Sequence, residues 1–133
     1  MIYADTSALL KRYVDEPDSV EADRLLGSDT VLVTSWVTLV ELRRNLARLV
    51  QPAELARLRE QVQVDLDAFA LVTPDQQVCE AAAEIAEHLG VRTLDAIHLA
   101  CAKRLLVPML TFVTFDLRQA QAARSLGFTV LGA

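Results

Sequence analysis

The chain has 133 residues, a hydrophobic content of 53% and a formal net charge of −5. This length and composition predict one globular domain over residues 1–133 and exclude a disordered protein. The sequence has no run of about 18 uncharged apolar residues, and no basic segment followed by an apolar one at its start. We therefore expect a soluble, cytoplasmic protein that does not associate with membranes.

Short β-branched or aromatic runs alternate with helical segments through the first half of the chain. The helix after Ser35 carries leucines at the i, i+3, i+7 spacing of a buried face. The predicted elements in this half are a strand at Ile2–Ala4, a helix at about residues 6–14, a helix at Ser19–Leu26, a strand at 30–34, a helix that Ser35 caps, and a helix from Pro52 to about residue 69.

The second half continues the alternation. Its predicted elements are a strand at 70–73, a helix from an Asp75 cap to Leu89, a helix from a Thr93 cap through Leu105, a strand at 109–114, a helix at 116–126 and a strand at 128–131. Strands that alternate with helices of about ten or more residues form βαβ units. We therefore expect a three-layered α/β fold, in which a short and mostly parallel sheet is flanked by helices.

Three glycines follow predicted helices and leave none for a phosphate-binding loop. Gly27, Gly90 and Gly127 each come after a leucine that ends a helix, where a left-handed residue is expected. Neither GxGxxG nor GxxxxGKS/T occurs in the sequence. These absences argue against a Rossmann or P-loop nucleotide site.

The two cysteines, Cys79 and Cys101, lie in helical segments. They form no CxxC pair and no Cys/His cluster, so neither a zinc site nor a disulfide framework is indicated. We interpret both as reduced thiols in the core.

Four acidic residues stand in largely apolar stretches: Asp5 in IYADTSALL, Glu41 in WVTLVELRR, Asp95 in RTLDAIHLACA and Asp116 in LTFVTFDLR. An unpaired buried carboxylate costs several kcal/mol, so each acid needs a reason to be there. Asp5 and Asp116 could each cap the helix that follows a strand, and Asp95 could stabilise the first turn of its helix. For Glu41, which lies off the leucine stripe of its helix, the default is a solvent-facing side chain that pairs with Arg44 or Asn45.

Taken together, the four acids point to a metal site. Ligands of an open parallel sheet bind beyond the carboxyl ends of its strands, and the chain direction places Asp5 and Asp116 there. Asp95, in the first turn of its helix, can face the same edge, and Glu41, early in its helix, can lean toward it. Crowded carboxylates repel one another unless a hard cation such as Mg²⁺ or Mn²⁺ binds them. A bound cation would also admit a polyanionic substrate despite the negative net charge.

Neighbouring polar residues add a second layer of candidates. Thr6 and Ser7 follow Asp5, and Thr114 precedes Asp116, so these hydroxyls could orient the carboxylates, although capping and strand propensity explain them as well. His98 lies one helical turn after Asp95. A partly buried structural histidine is favoured there over a general base.

The segments IYADTSALLKRY, VTLVELRR, RTLDAIHLACA and LTFVTFDLRQAQAARSLGFTV together resemble the PIN domain of the VapC-type toxins of bacterial toxin–antitoxin systems. The resemblance covers essentially the whole chain. It implies a Mg²⁺- or Mn²⁺-dependent endoribonuclease, usually a homodimer, that a cognate antitoxin inhibits. Transfer RNA and ribosomal RNA both stay open as substrates. The resemblance maps the acidic, metal-binding site to Asp5, Glu41, Asp95 and Asp116, with Thr6, Ser7 and Thr114 as supporting hydroxyls.

The mechanism expected of such a site is in-line attack by a metal-activated water, which leaves a 5′-phosphate and a 3′-hydroxyl and needs no histidine base. Two alternatives stay open. One is a catalytically inactive PIN-like module that binds RNA or protein. The other is an aspartyl-phosphate phosphoryl-transfer enzyme with Asp5 as nucleophile. The second alternative fits less well, because Ser7 stands where such enzymes need another acid and no lysine occurs between Lys11 and Lys103.

An antitoxin helix usually needs an exposed apolar groove. The helix that starts at Pro52 offers a candidate stripe at helical spacing, although a stripe of this kind is more often core. Its members are Leu55, Leu58, Val62, Leu66 and Phe69.

Overall fold

The structure is a computed structural model that describes residues 1–133 as alternating strands and helices. No helix is both long and apolar enough to cross a bilayer. In chain order the elements are β1 (Ile2–Ala4), α1 (Thr6–Leu10), α2 (Ser19–Leu26), β2 (Leu32–Ser35), α3 (Val37–Leu49), α4 (Pro52–Ala68), β3 (Ala70–Val72), α5 (Gln76–Leu89), α6 (Thr93–Arg104), β4 (Thr111–Thr114), α7 (Leu117–Ser125) and β5 (Thr129–Gly132).

The five strands form one sheet in the order β3-β2-β1-β4-β5. Every neighbouring pair is parallel, and Ile2 of the central strand pairs with Leu32 on one side and Thr111 on the other. All strands therefore end at the same edge. The expected α/β fold with a parallel sheet is confirmed.

Helices cover both faces of the sheet. Tyr3 and Phe112 belong to a core shared with α5, α6 and α7. Ile2 and Val113, whose side chains alternate with these along the strands, belong to a core shared with α1, α2, α3 and α4. A sheet buried on both faces accounts for the continuous apolar runs of its strands.

The α4 stripe is part of the second core. Leu58, Val62 and Leu66 are buried, while Leu55 and Phe69 are partly buried against the same cluster. The interpretation of this stripe as core is correct, and it offers no groove to a partner.

Several helix ends differ from the sequence-based expectations. Asp75 caps α5 as expected, because its side chain accepts a hydrogen bond from the Val78 N–H. Ser35 is the last residue of β2 and Trp36 occupies the cap position of α3, although Ser35 Oγ accepts the Val37 N–H (3.3 Å). Thr93 is likewise the first residue of α6, behind Arg92.

The first helix is shorter than the predicted residues 6–14. It ends at Leu10, and the next turns tighten through hydrogen bonds from Arg12 to Leu9 and from Tyr13 to Leu10. Lys11 then forms ion pairs with Glu16 and Asp18, which draw the chain back on itself. Helical pattern alone does not reveal such a reversal.

Two other expectations hold only in part. Gly90 and Gly127 have the expected positive φ, but Gly27 has φ −85°, so it needs no left-handed conformation there. Cys101 is a buried thiol, whereas Cys79 is exposed, and neither is in a disulfide. Cys79 lies on the solvent side of α5, which a helical position alone does not exclude.

Candidate active site

Four elements bring the four acids to one pocket at the carboxyl edge of the sheet. Asp5 follows β1, Asp116 follows β4, Glu41 lies on α3, and Asp95 lies in the first turn of α6. The pocket has a volume of about 210 Å³. Its lining comprises Asp5, Thr6, Ser7, Leu10, Glu41, Asn45, Arg92, Asp95, His98 and Asp116.

Asp5 is the most deeply placed acid, with 3% exposure. Ser7 donates a hydrogen bond to its Oδ1 (2.6 Å), and Thr114 donates one to its Oδ2 (2.6 Å). Oδ1 also accepts the Ala8 N–H at the start of α1 (3.2 Å), so Asp5 is a helix cap and a pocket residue at once. Burial raises the pKa of Asp5, and the charge of His98 together with these hydrogen bonds offsets only part of that rise.

Glu41 points into the pocket, so its expected pairing with Arg44 or Asn45 in solvent is wrong. Its Oε1 accepts hydrogen bonds from Thr6 Oγ1 (2.8 Å) and His98 Nε2 (2.7 Å). The other oxygen, Oε2, has no partner within the protein. Burial favours a higher pKa for Glu41, but the hydrogen bond and charge of His98, with the Thr6 hydroxyl, hold that pKa below its usual value. Asn45 contacts only the Glu41 backbone carbonyl (2.9 Å).

His98 is fully buried, with 1% exposure, rather than partly buried. Its Nδ1 lies 2.8 Å from the Tyr3 hydroxyl, and its Nε2 faces Glu41. A carboxylate oxygen only accepts, so Nε2 carries a proton. Burial raises the pKa of Tyr3 well above its usual value and keeps the hydroxyl neutral. The chain Tyr3–His98–Glu41 thus links the central strand to a pocket carboxylate.

Asp95 and Asp116 are bridged by an arginine that the sequence did not single out. Arg92 Nε lies 3.0 Å from Asp95 Oδ2, and Arg92 Nη2 lies 3.3 Å from Asp116 Oδ2. The i, i+3 spacing of Arg92 and Asp95 at a helix start is the one sequence feature that could have indicated this ion pair. The Arg92 side chain is 73% exposed, so water competes with both contacts.

Helix α7 is fixed relative to α6 by further polar contacts. Asp116 Oδ1 accepts the N–H groups of Arg118 (2.9 Å) and Gln119 (3.0 Å) and so caps α7. The buried Gln119 donates through Nε2 to the Asp95 carbonyl (3.1 Å). These bonds hold the backbones of Asp95 and Asp116 in a fixed relation.

The donor set of the pocket fits a hard divalent cation. It consists of carboxylate and hydroxyl oxygens, which suit Mg²⁺ or Mn²⁺ rather than zinc. No three ligating side chains converge as a ready-made metal cage. Instead, the Arg92 guanidinium supplies the positive charge between Asp95 and Asp116. A cation would therefore replace Arg92 as the partner of these carboxylates.

The sequence matches one family model and two individual proteins of known name. The sequence model of the PIN domain matches residues 2–125. Ribonuclease VapC47 of Mycobacterium tuberculosis (strain CDC 1551 / Oshkosh) is 37% identical in an alignment of 135 positions. The alignment covers 96% of this chain and 93% of that protein. Ribonuclease VapC46 of Mycobacterium tuberculosis (strain ATCC 25618 / H37Rv) is 35% identical over 130 residues, or 98% and 95% of the two chains.

Solved structures share the fold over nearly the whole chain. FitAcB from Neisseria gonorrhoeae superposes with a TM-score of 0.71 at 26% identity and covers 98% of this chain and 96% of that one. VapBC-5 from Mycobacterium tuberculosis, a member of a family of toxin–antitoxin systems, has a TM-score of 0.65 at 21% identity and covers 97% and 94%. At that lower identity, the likeness concerns the fold alone.

Proposed function

Because the chain belongs to the PIN-domain family, we propose that it is an endoribonuclease that acts as the toxin of a toxin–antitoxin pair. Two relatives named ribonucleases match almost its full length at 35% and 37% identity. The observation that carries the proposal is the pocket in which Asp5, Glu41, Asp95 and Asp116 meet.

Metal dependence is part of the proposal, with these four acids as the residues that would hold Mg²⁺ or Mn²⁺. A divalent cation there would supply Lewis acidity for the activation of water and positive charge for the phosphodiester. Glu41 Oε2 is free of protein contacts. Ser7 and Thr114 keep the Asp5 carboxylate in one orientation. Hydrogen bonds thus orient two of the acids, Asp5 and Glu41, while Asp95 and Asp116 are paired with Arg92.

The remaining polar groups assist without acting as bases. Both nitrogens of His98 are committed to Tyr3 and Glu41 inside the protein, so the imidazole cannot reach a substrate proton. Arg92 is the one arginine of the pocket lining, which has no lysine. Once its carboxylate partners are neutralised, its guanidinium is free to contact a phosphate of the RNA. Hydrolysis by this route leaves a 5′-phosphate and a 3′-hydroxyl.

The proposed partners are a cognate antitoxin and a second copy of the chain. Exposed apolar side chains adjoin the site acids in sequence, namely Val40 beside Glu41, Leu94 beside Asp95, and Leu117 beside Asp116. If these side chains form one patch, it would suit a partner that covers the site edge. The α4 stripe is excluded as the antitoxin groove because it lies in the core.

The phosphoenzyme alternative fits less well, because Ser7 stands where such an enzyme needs another acid and the pocket lining includes no lysine. Metal-dependent cleavage of RNA by the purified protein would distinguish the proposed enzyme from an inactive binding module.

The test is cleavage of transfer RNA and of ribosomal RNA fragments by the purified, antitoxin-free protein. We expect cleavage with Mg²⁺ or Mn²⁺, none with excess chelator, and product ends that ligate without prior phosphorylation. Asp95→Asn should reduce the rate by more than the roughly 10²–10³-fold that follows the loss of one active-site hydrogen-bond donor. Asp67→Asn, at an exposed position of α4, is the matched control.

Cleavage that survives the chelator, or 2′,3′-cyclic phosphate ends, would contradict the metal-dependent mechanism. A purified parent protein that binds RNA but cleaves none of these substrates with either metal would favour the inactive module.

A further inference from the structure

We propose that a groove beside the acidic pocket binds one unpaired nucleotide of the RNA, next to the bond that is cut. The groove has a volume of about 390 Å³ and runs between the start of α6 and helix α7. It shares Arg92 and Asp95 with the acidic pocket, so an occupant of one lies directly beside an occupant of the other. The inference rests on the proposed function, because it names what the same site recognises in its substrate.

The floor of the groove suits a base. Leu89, Val91 and Ala122 supply its apolar surface, while polar side chains form the rest of the lining. Pockets for small ligands are typically about 300–1,000 Å³, apolar, with a few polar groups that fix orientation. Sequence-specific recognition of RNA mostly uses unpaired bases that are turned out of the strand. The groove is large enough for one base, with apolar side chains to contact the face of the base and polar side chains to contact its edges.

The rim of the groove suits a phosphate. Arg118 donates its backbone N–H to Asp116, but its guanidinium has no hydrogen-bond partner in the protein. Helix α6 also begins without a side-chain cap, so the first N–H groups near Arg92 lack an acceptor. Free N–H groups at a helix start and arginine side chains both favour an anion.

Arg92 connects the two sites. In the present structure its guanidinium contacts Asp95 and Asp116, but the side chain is mostly exposed and can turn away. A cation bound to these carboxylates removes the reason for that contact and leaves Arg92 beside the groove. The walls need no rearrangement, because Gln119 ties α7 to the backbone of Asp95. The groove is therefore preformed, and Arg92 alone changes partners.

The test is a titration of isotope-labelled, full-length protein followed by NMR, in the presence of chelator so that no chemistry takes place. The probes are the four ribonucleoside 5′-monophosphates, ribose 5-phosphate and inorganic phosphate. We expect saturable shifts of the amides of Val91, Gln121 and Ser125 with at least one nucleotide. That nucleotide should bind about tenfold more tightly than ribose 5-phosphate, which corresponds to the burial of part of a base.

Two arginine substitutions on α7 distinguish nucleotide binding in the groove from non-specific attraction of anions to positive charge. Arg118→Gln should weaken nucleotide binding about tenfold, as expected for the loss of one charged hydrogen-bond partner. Arg124→Gln removes the same charge from α7, but Arg124 contacts the Ala133 carbonyl and does not line the groove. It should leave the affinity unchanged.

Three outcomes would overturn the inference. The first is that the shifts map outside the groove, and the second is that Arg118→Gln and Arg124→Gln weaken binding equally. The third is that ribose 5-phosphate binds as tightly as every nucleotide. The base would then contribute nothing to binding, and the apolar side chains of the groove would not contact it. None of these results depends on cleavage, so the nucleotide groove and the ribonuclease activity can fail separately.

Discussion

The hydroxyl of Tyr3 and Nδ1 of His98 lie 2.8 Å apart in the protein interior, although 95 residues separate them in the chain. Tyr3 belongs to the central strand and stacks on Phe112 with a centroid distance of 5.2 Å. It therefore anchors one end of the imidazole to the buried central strand. The other end of the imidazole fixes Glu41 Oε1, while Oε2 makes no hydrogen bond within the protein.

Tyr3→Phe removes only the hydroxyl that holds His98. We expect a stability loss of about 1–3 kcal/mol, because the buried Nδ1 then has no partner. The looser Glu41 should also bind Mn²⁺ several-fold more weakly. Chemical denaturation measures the first quantity, and calorimetric titration with Mn²⁺ alone measures the second.

The matched control is Tyr13→Phe. Tyr13 donates a hydrogen bond to Asp65 (2.6 Å), and neither residue lines the pocket. The control should lose a comparable amount of stability and keep the parent's affinity for Mn²⁺. If both variants bind Mn²⁺ like the parent, the link from Tyr3 to Glu41 does not position the carboxylate.

Asp5→Asn tests the cost of a buried carboxylate. Burial raises the pKa of Asp5 in the folded protein, so the folded state binds this proton more tightly than the unfolded chain. The stability that this proton contributes is fully present below the ordinary Asp pKa and is lost as the pH rises through the raised value. Metal-free Asp5→Asn should therefore be as stable as the parent or more so at pH 7, and this advantage should shrink in acid.

The same variant should lose most of the rise in Tm that Mn²⁺ gives the parent, because only ligands bound to the native state stabilise it. Asp67→Asn serves again as the exposed control. Equal stabilisation of the parent and Asp5→Asn by Mn²⁺ would show that Asp5 is a helix cap and not a ligand.

Arg92→Gln should separate metal binding from RNA binding. The variant lacks the cation that competes for Asp95 and Asp116, so its affinity for Mn²⁺ should rise a few-fold. Stability should change by no more than about 1 kcal/mol, since the ion pairs are solvent-exposed. Binding of RNA in the presence of chelator should weaken. A fall in Mn²⁺ affinity would mean that Arg92 supports the carboxylates instead of competing for them.

Gly132→Ala should disturb the pocket indirectly, through the contact of Gly132 with Thr114. Gly132 has φ +107°, and an added Cβ would collide with the backbone carbonyl of Thr114. The strained backbone alone costs about 1–3 kcal/mol. Because Thr114 holds Asp5, we expect a lower Tm together with a weaker response to Mn²⁺. Gly90→Ala, at φ +67° with open space around the Cβ, is the control for strain without collision.

The sequence nominated all four acids as one site, but the periodicity of α3 taken alone favoured a solvent-facing Glu41. Asp5 and Asp116 could be placed because parallel strands end at one edge. Glu41 lies on the flank of α3, beside the buried Leu42, and the periodicity of one helix does not show whether a flank meets solvent or another helix. Here α6 brings His98 to that flank. The role of Arg92 depends on the same kind of long-range packing, and so does the exposure of Cys79.

The central position of β1 also determines when the site can be completed during synthesis. Asp5 is made first, yet Thr114, which holds it, comes 109 residues later. A nascent chain that ends before residue 111 already contains Asp5, Glu41 and Asp95, but it lacks β4 and Asp116. Parallel pairings between distant segments also fold slowly, because a long loop must close first. The pocket can therefore be assembled only after nearly the whole chain has been made and β4 has paired with β1.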